Sequence, residues 1–311
     1  MVLTAGAAHV ACAQNWPVRP ARIVVPFVPG GGTDIQGRLV AKKFTESMGQ
    51  SFVVENRGGA GGLIGADLVA KSAPDGYNIL FSTASLAVNV TLYPKIAFDP
   101  VRDLAPVSRI SSAPLVLIVH PSVPAKSVPE LVALAKQYRG KMNAASNGTG
   151  TTSHLAIEML KQMAGIDVTH IPYRGGGLAI NAMLAGETDF RFTSTLAVYQ
   201  YVKQNRVRPL AVTTAKRSSV FPELPTIDSF YPGFEFDNWY AMFVTAGTPK
   251  EIVAKLNAEV QKALQSPDMR DFIITEGAEP VGSTAEELTA YFAREVDKYA
   301  KIIKAARIRL E

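Results

Sequence analysis

Short apolar, β-branched runs alternate with segments of helical spacing, and glycine or proline stands at almost every boundary between them. Residues 22–27 (Arg-Ile-Val-Val-Pro-Phe) read as a strand, 29–34 as a tight loop, and Ile35, Leu39, Phe44 and Met48 recur at roughly helical spacing before Gly49. A strand over 51–55, a glycine turn over 58–62, a helix around 63–71, the turn Pro74-Asp75-Gly76 and a strand over 77–81 follow. Parallel strands need a crossover, usually a helix, so this βαβαβ rhythm predicts a largely parallel sheet with helices on both faces.

The second half repeats the grammar. Strands are expected at 115–119, 143–146, 167–171, 188–193 and 207–213, with helices between them. Capping boxes are read at Ser127-Val128-Pro129-Glu130 and Thr248-Pro249-Lys250-Glu251, and Ser283-Thr284-Ala285-Glu286 opens a last long helix. The fold class is therefore α/β, as two lobes. The first is expected over 14–110, joined by part of the C-terminal helical segment, and the second over 111–245. Helices in 246–311 are expected to pack back on the lobes.

Composition narrows the function classes. Hydrophobic residues make up 47% and charged residues 19% of 311, which is globular and excludes general disorder. Net charge is +5, without a block of like charges or basic–aromatic interleaving, so nucleic acid is not an expected partner. A lone cysteine, Cys12, excludes a disulfide framework and a CxxC metal or redox site. Residues 1–13 carry no Lys, Arg, Asp or Glu and end Ala11-Cys12-Ala13, the small-x-small pattern that precedes a signal-peptidase cut. They read as the truncated remnant of a signal peptide on an exported chain.

Two loops share one construction. Gly30-Gly31-Gly32-Thr33-Asp34 and Asn147-Gly148-Thr149-Gly150-Thr151-Thr152-Ser153 each follow a strand and open a helix. Glycine lets the backbone approach a ligand, and the free N–H groups of a helix start favour an anion. Threonine hydroxyls add neutral donors. Either loop alone is equally well an ordinary strand-to-helix turn; one in each half favours a ligand held between the halves. Competing motifs are missing: GxxxxGK[ST], GxSxG and HExxH do not occur, and 148–153 lacks the third glycine of GxGxxG. No metal, cofactor or catalytic residue is expected. Phe27 suits a pocket wall and Trp239 the core. His154, early on a helix, suits a capping or satisfied polar role. Arg174 suits solvent or an anion. Arg191, inside a strand, needs a partner, either a protein carboxylate or an anionic ligand.

The ordered set 24–34 (Val-Val-Pro-Phe-Val-Pro-Gly-Gly-Gly-Thr-Asp), 55–62 (Glu-Asn-Arg-Gly-Gly-Ala-Gly-Gly), Pro172-Tyr173-Arg174-Gly175 and Ala246-Gly247-Thr248-Pro249 resembles the Bug-type extracytoplasmic receptors of tripartite tricarboxylate transporters. The resemblance runs from about Trp16 to the last helix. It implies a periplasmic-binding-protein fold closing on an organic carboxylate, delivery of that ligand to membrane permease subunits, and no chemistry on it. Di- and tricarboxylates, acidic amino acids and aromatic acids are all candidate ligands. Carried over residue by residue, the ligand site comprises Phe27, Gly30, Gly31, Gly32, Thr33 and Asp34, with Ser82 and Ser85 after the third strand. It continues through Asn147, Gly148, Thr149, Gly150, Thr151 and Thr152 to Tyr173 and Asp189. Gly58 and Leu178 stand where the family often has proline, which bears on loop stiffness. Arg191 stands where an apolar residue is expected; facing the cleft, it would select a second acidic group. The chain is expected to be a monomer. The rival readings are an α/β hydrolase using Ser146 or Ser153 with His154, and a ligand-sensing receptor feeding a signalling partner.

Overall fold

The computed structural model describes residues 16–308 apart from Pro94, Ala215, Lys216, Ser219, Glu276 and Arg307. The expected signal-peptide remnant, 1–13, lies outside the described residues.

The first sheet starts from a parallel core. β1 (Ala21–Val25) lies between β2 (Phe52–Asn56) and β3 (Asn78–Thr83), parallel to both. Helix α1 (Gly32–Met48) joins β1 to β2, and α2 (Leu63–Ala70) joins β2 to β3. Gly49 ends α1 in the left-handed conformation, φ 70°, as its position predicts. After α3 (Ser85–Leu92) comes β4 (Leu104–Ser112), and the chain then enters the second sheet.

There, β5 (Leu115–Val119), β6 (Asn143–Ser146), β7 (Thr169–Pro172), β8 (Phe190–Ser194) and β9 (Arg208–Val212) take the order β7-β6-β8-β5-β9. The connecting helices are α4 (Val128–Gln137), α5 (Thr152–Ala164), α6 (Gly176–Leu184) and α7 (Thr195–Lys203). The chain then returns. β10 (Tyr240–Thr245) inserts between β3 and β4, and β11 (Glu279–Pro280) edges β4, giving the order β11-β4-β10-β3-β1-β2.

Both sheets are thus mixed rather than largely parallel. β10 and β11 run antiparallel to their neighbours, as β5 does between β8 and β9. For β5 and β10 the cause is the double passage between lobes: a strand arriving from the other lobe needs no crossover helix and can pair in the opposite sense. β10 lies inside the span 111–245 expected for the second lobe, yet it pairs in the first sheet.

The C-terminal segment folds as α8 (Lys250–Gln265), α9 (Pro267–Thr275) and α10 (Ala285–Ala306). Leu288, Phe292, Tyr299 and Ile303 of α10 share one core with Leu104 and Phe243 of the first sheet and Phe192 of the second. Trp239 is fully buried there, edge-on to Tyr291 and Phe292, with its indole N–H donating to Glu295.

Caps follow the sequence unevenly. The Ser127 hydroxyl accepts from the Glu130 N–H. Thr284 and Glu287 exchange side-chain-to-backbone bonds, a reciprocal box one residue later than expected. The expected box at Thr248 does not form. That hydroxyl donates back to the Thr245 carbonyl, and α8 starts after Pro249 without a side-chain cap.

Candidate functional site

The carboxyl ends of β1, β3, β6 and β8 and the incoming end of β10 converge on the interlobe cleft, where ligands of open α/β sheets usually sit. An inner cavity of about 40 Å³ lies there, continuous in its lining with an outer cavity of about 700 Å³ through Phe27, Val28 and Asn147.

The first loop turns from β1 into α1. Gly31 is the N-cap in extended backbone, and its lack of a side chain leaves the first amides of α1 uncapped. Gly32 must be glycine for packing reasons: a Cβ would stand 2.6 Å from Tyr240 Oη and 3.1 Å from Ser194 Oγ. Asp34 braces the loop. Its carboxylate accepts from the Gly30 N–H, from Arg38 and, at 2.9 Å, from Asn56 Nδ2. Burial acts to raise its pKa, and these hydrogen bonds outweigh it, holding the carboxyl below its usual value.

The second loop turns from β6 into α5. Thr151 caps the helix, accepting from the His154 N–H and donating to the Gly148 carbonyl. Ser153 accepts from the Asn147 N–H. The Gly150 N–H donates to His154 Nδ1 at 3.2 Å, and Ser146 Oγ bridges the Gly148 N–H and His170 Nε2. The two imidazoles stack with centroids 4.1 Å apart. Burial, reinforced by Lys161, pushes His154 down to about 4; burial and the neighbouring His154 push His170 down to about 3. Both are neutral at pH 7, so His154 can accept the Gly150 amide.

The lobes touch across the cavity. Thr152 Oγ1 donates to Asn238 Oδ1 at 3.1 Å, and Asn238 Nδ2 reaches Tyr240 Oη. Burial pushes the Tyr240 phenol up to about 12, so it stays a donor.

Of the sequence-predicted residues, Phe27, Gly31, Gly32, Thr33, Ser85, Asn147, Thr151 and Thr152 line the inner cavity. Gly148, Thr149 and Tyr173 line the outer one, as does Arg174. Six line neither. Gly30 is exposed, its N–H tied to Asp34, while Asp34 and Gly150 hold the loops from behind. Ser82 points to the other face of the pleat from Thr83, which does line the cavity. Asp189 lies before the start of β8, about 13 Å of extended chain from Thr193 at its far end; its carboxylate accepts from the Asn143 N–H. Arg191 is fully buried behind the cavity wall, with Nη2 donating to Asn147 Oδ1 at 2.6 Å.

Thr83, inside the Ser82–Ser85 stretch, and Gly176, in the loop after Tyr173, line the inner cavity too; Thr193, Ser194, Ala197, Asn238 and Tyr240 also line it and escape sequence reasoning. Thr193 and Ser194 do end a strand before a helix, but without the glycines that mark the other loops. Asn238 and Tyr240 flank the buried Trp239, an alternation that a short strand would produce.

The hydrolase arrangement does not assemble around His154. Ser146 pairs with His170 instead, Ser146 and Ser153 are both fully buried, and neither lines a cavity. Among the described residues, no group of three His, Cys, Asp or Glu is placed to hold a metal, and no helix is long and apolar enough to cross a membrane.

Residues 37–308 match the model of the tripartite tricarboxylate transporter family receptor. Protein BugT of Bordetella pertussis is 36% identical, with 100% of this chain and 96% of that protein covered. Among solved structures, R. palustris Rpa4515 with adipate superposes with a TM-score of 0.92 at 35% identity, covering 94% of this chain and 99% of that one. MatC of Rhodopseudomonas palustris with bound malate gives 0.88 at 30% identity, covering 93% and 100%.

Proposed function

Because the chain belongs to the tripartite tricarboxylate transporter receptor family, we propose that it captures an organic carboxylate between its lobes, in the periplasm, and hands it to the membrane permease subunits of such a transporter. The observation that carries this is the chemistry of the inner cavity. The hydroxyl residues Thr33, Ser85 and Thr193 line it beside the uncapped start of α1, and none of its lining residues is Asp or Glu. Neutral donors in a low-dielectric site suit a carboxylate, whereas an acidic wall would repel one. Relatives that hold adipate and malate support an aliphatic di-acid.

In this reading Phe27, Gly31, Gly32, Thr33 and Ser85 bind from the first lobe. Asn147, Thr151 and Thr152 bind from the second, and Gly148, Thr149 and Tyr173 guard the mouth. The lobes meet at the two passages, 112–115 and 237–240, and the chain works as a monomer without a cofactor. The ligand leaves unchanged: Ser146 and His170 line neither cavity of the cleft, which supports a receptor rather than a hydrolase.

The test is a thermal-shift screen of residues 14–311 against organic acids, with their amides as controls. A ligand at a thousand times its dissociation constant adds about 4 kcal/mol and raises Tm by several degrees. A shift for an acid and none for its amide is the expected result. A flat panel after unfolding and refolding, which removes any copurified ligand, overturns the reading.

A further inference from the structure

Arg191 is a cation with no charge partner. It is fully buried, forms no ion pair among the described residues, and leaves its Nε–H without a hydrogen-bond partner. Its bonds go to Asn147 Oδ1 at 2.6 Å and, at 3.4 Å, to the Gly176 carbonyl. Both residues line the inner cavity, and Thr193, two positions on and therefore on the same face of β8, lines it as well. The guanidinium thus stands directly behind one wall of the cavity. Burying an unpaired charge is costly, and a protein carboxylate or an apolar side chain would be the stable alternatives. With one lone pair of its oxygen committed to Arg191, the Asn147 amide still has its Nδ2 donor to offer the cleft.

We propose that Arg191 is the specificity-determining positioning residue of the cleft: acting through Asn147, it makes the cavity select an organic acid that brings a second carboxylate to the Asn147–Gly176 wall. The proposal rests on the carboxylate reading above and extends it to a ligand charge. One carboxylate meets the neutral donors of Thr33, Ser85 and the α1 start. The second supplies the negative charge that the fold withholds from Arg191. Burial lowers the pKa of Arg191 to about 9, and Tyr173 opposes the fall; the group still carries its charge at pH 7.

The experiment compares affinities by calorimetry for C4–C6 dicarboxylates, their monoamides and monocarboxylates of equal length. The wild-type protein should prefer the best dicarboxylate over its monoamide by roughly 10- to 100-fold, the usual range for a hydrogen bond to a charged group. In Arg191→Met that ratio should collapse to within about threefold, the monoamide affinity should hardly move, and the ligand-free Tm should stay level or rise. Arg191→Lys should restore part of the ratio. A ratio unchanged in Arg191→Met, or a fall in Tm with the ratio kept, overturns the proposal and leaves Arg191 a structural residue. Should Arg191→Met fail to fold, Asn147→Asp asks the same question by giving the guanidinium a protein carboxylate. The ratio should again collapse, and a retained ratio overturns the proposal. If no acid binds the wild-type protein at all, the carboxylate reading itself falls, a failure visible before any variant is made.

Discussion

The two glycine loops read alike in the sequence and are restrained by different physics. The first, 30–34, is held by one carboxylate. Asp34 gathers the Gly30 N–H, Asn56 and a largely exposed Arg38, and a Cβ at Gly30 or Gly31 would meet open space. The second, 147–152, is held by neutral groups and a buried cation: His154 on Gly150, Ser146 with the half-buried His170 behind Gly148, and Arg191 on Asn147. It is also crowded by the opposite lobe, since a Cβ on Gly150 would stand 2.3 Å from Asn89 Oδ1, 3.1 Å from Tyr93 and 3.2 Å from Leu92. A loop clamped by a surface ion pair tolerates change and responds to acid late. A loop clamped by neutral imidazoles does neither.

The largest expected contrast is steric. Both Gly30 and Gly150 sit at positive φ, +87° and +80°. Gly30→Ala should cost only the left-handed backbone penalty, about 1–2 kcal/mol. Gly150→Ala adds overpacking against α3 and should cost about 3–4 kcal/mol. Urea unfolding of the two variants reads the difference directly, and equal losses would erase the distinction between the loops.

Acid should separate the loops next. The folded pKa values of His154 and His170, about 4 and about 3, lie below the unfolded value of 6.5. The unfolded chain therefore takes up protons first. The stability they contribute is complete above pH 6.5 and is lost as pH falls from there toward 4. For His154 the loss is on the order of 3 kcal/mol. Asp34 has a lowered pKa, so its contribution is present above 3.8 and is lost only as pH falls below it. Asp237, beside the return passage into β10, works in the opposite direction. Burial, opposed in part by Ser112 and Arg109, raises it to about 6, so the stability it contributes is lost as pH rises from 3.8 through 6. Melting curves of Asp237→Asn between pH 7 and 4 should therefore expose the histidine loss cleanly, and His170→Asn in that background should remove the His170 share while the His154 loss remains. A curve that first bends below pH 4 would mean that the second loop is not held by neutral histidines.

The smallest effect is expected at the first loop's brace. Arg38 is 54% exposed at its ion pair with Asp34, so Arg38→Met should cost no more than about 1 kcal/mol by urea unfolding. A loss as large as that of Gly150→Ala would place the first loop among the tightly held ones.

The alternation of β-branched runs with glycine-bounded helices, written into the local sequence, determined the α/β class, most strand positions and both loops. Those features rest on backbone geometry and period, which a window of a dozen residues carries. The ordered motifs from Val24 to Pro249 were specific enough to point to the receptor family. What only the tertiary structure decided depends on which strands become neighbours. Nothing local announces that β10 returns to the first sheet, carrying Asn238 and Tyr240 into the cavity, or that β4 pairs beside it despite Pro106. Nor does local sequence tell which face of a pleat looks inward: Thr83 lines the cavity and Ser82 does not, and Asp189 sits at the wrong end of β8. Arg191 is the sharpest case. Its oddity inside a strand was legible, but its lack of a counter-charge is a property of everything packed around it, and only the folded chain establishes that.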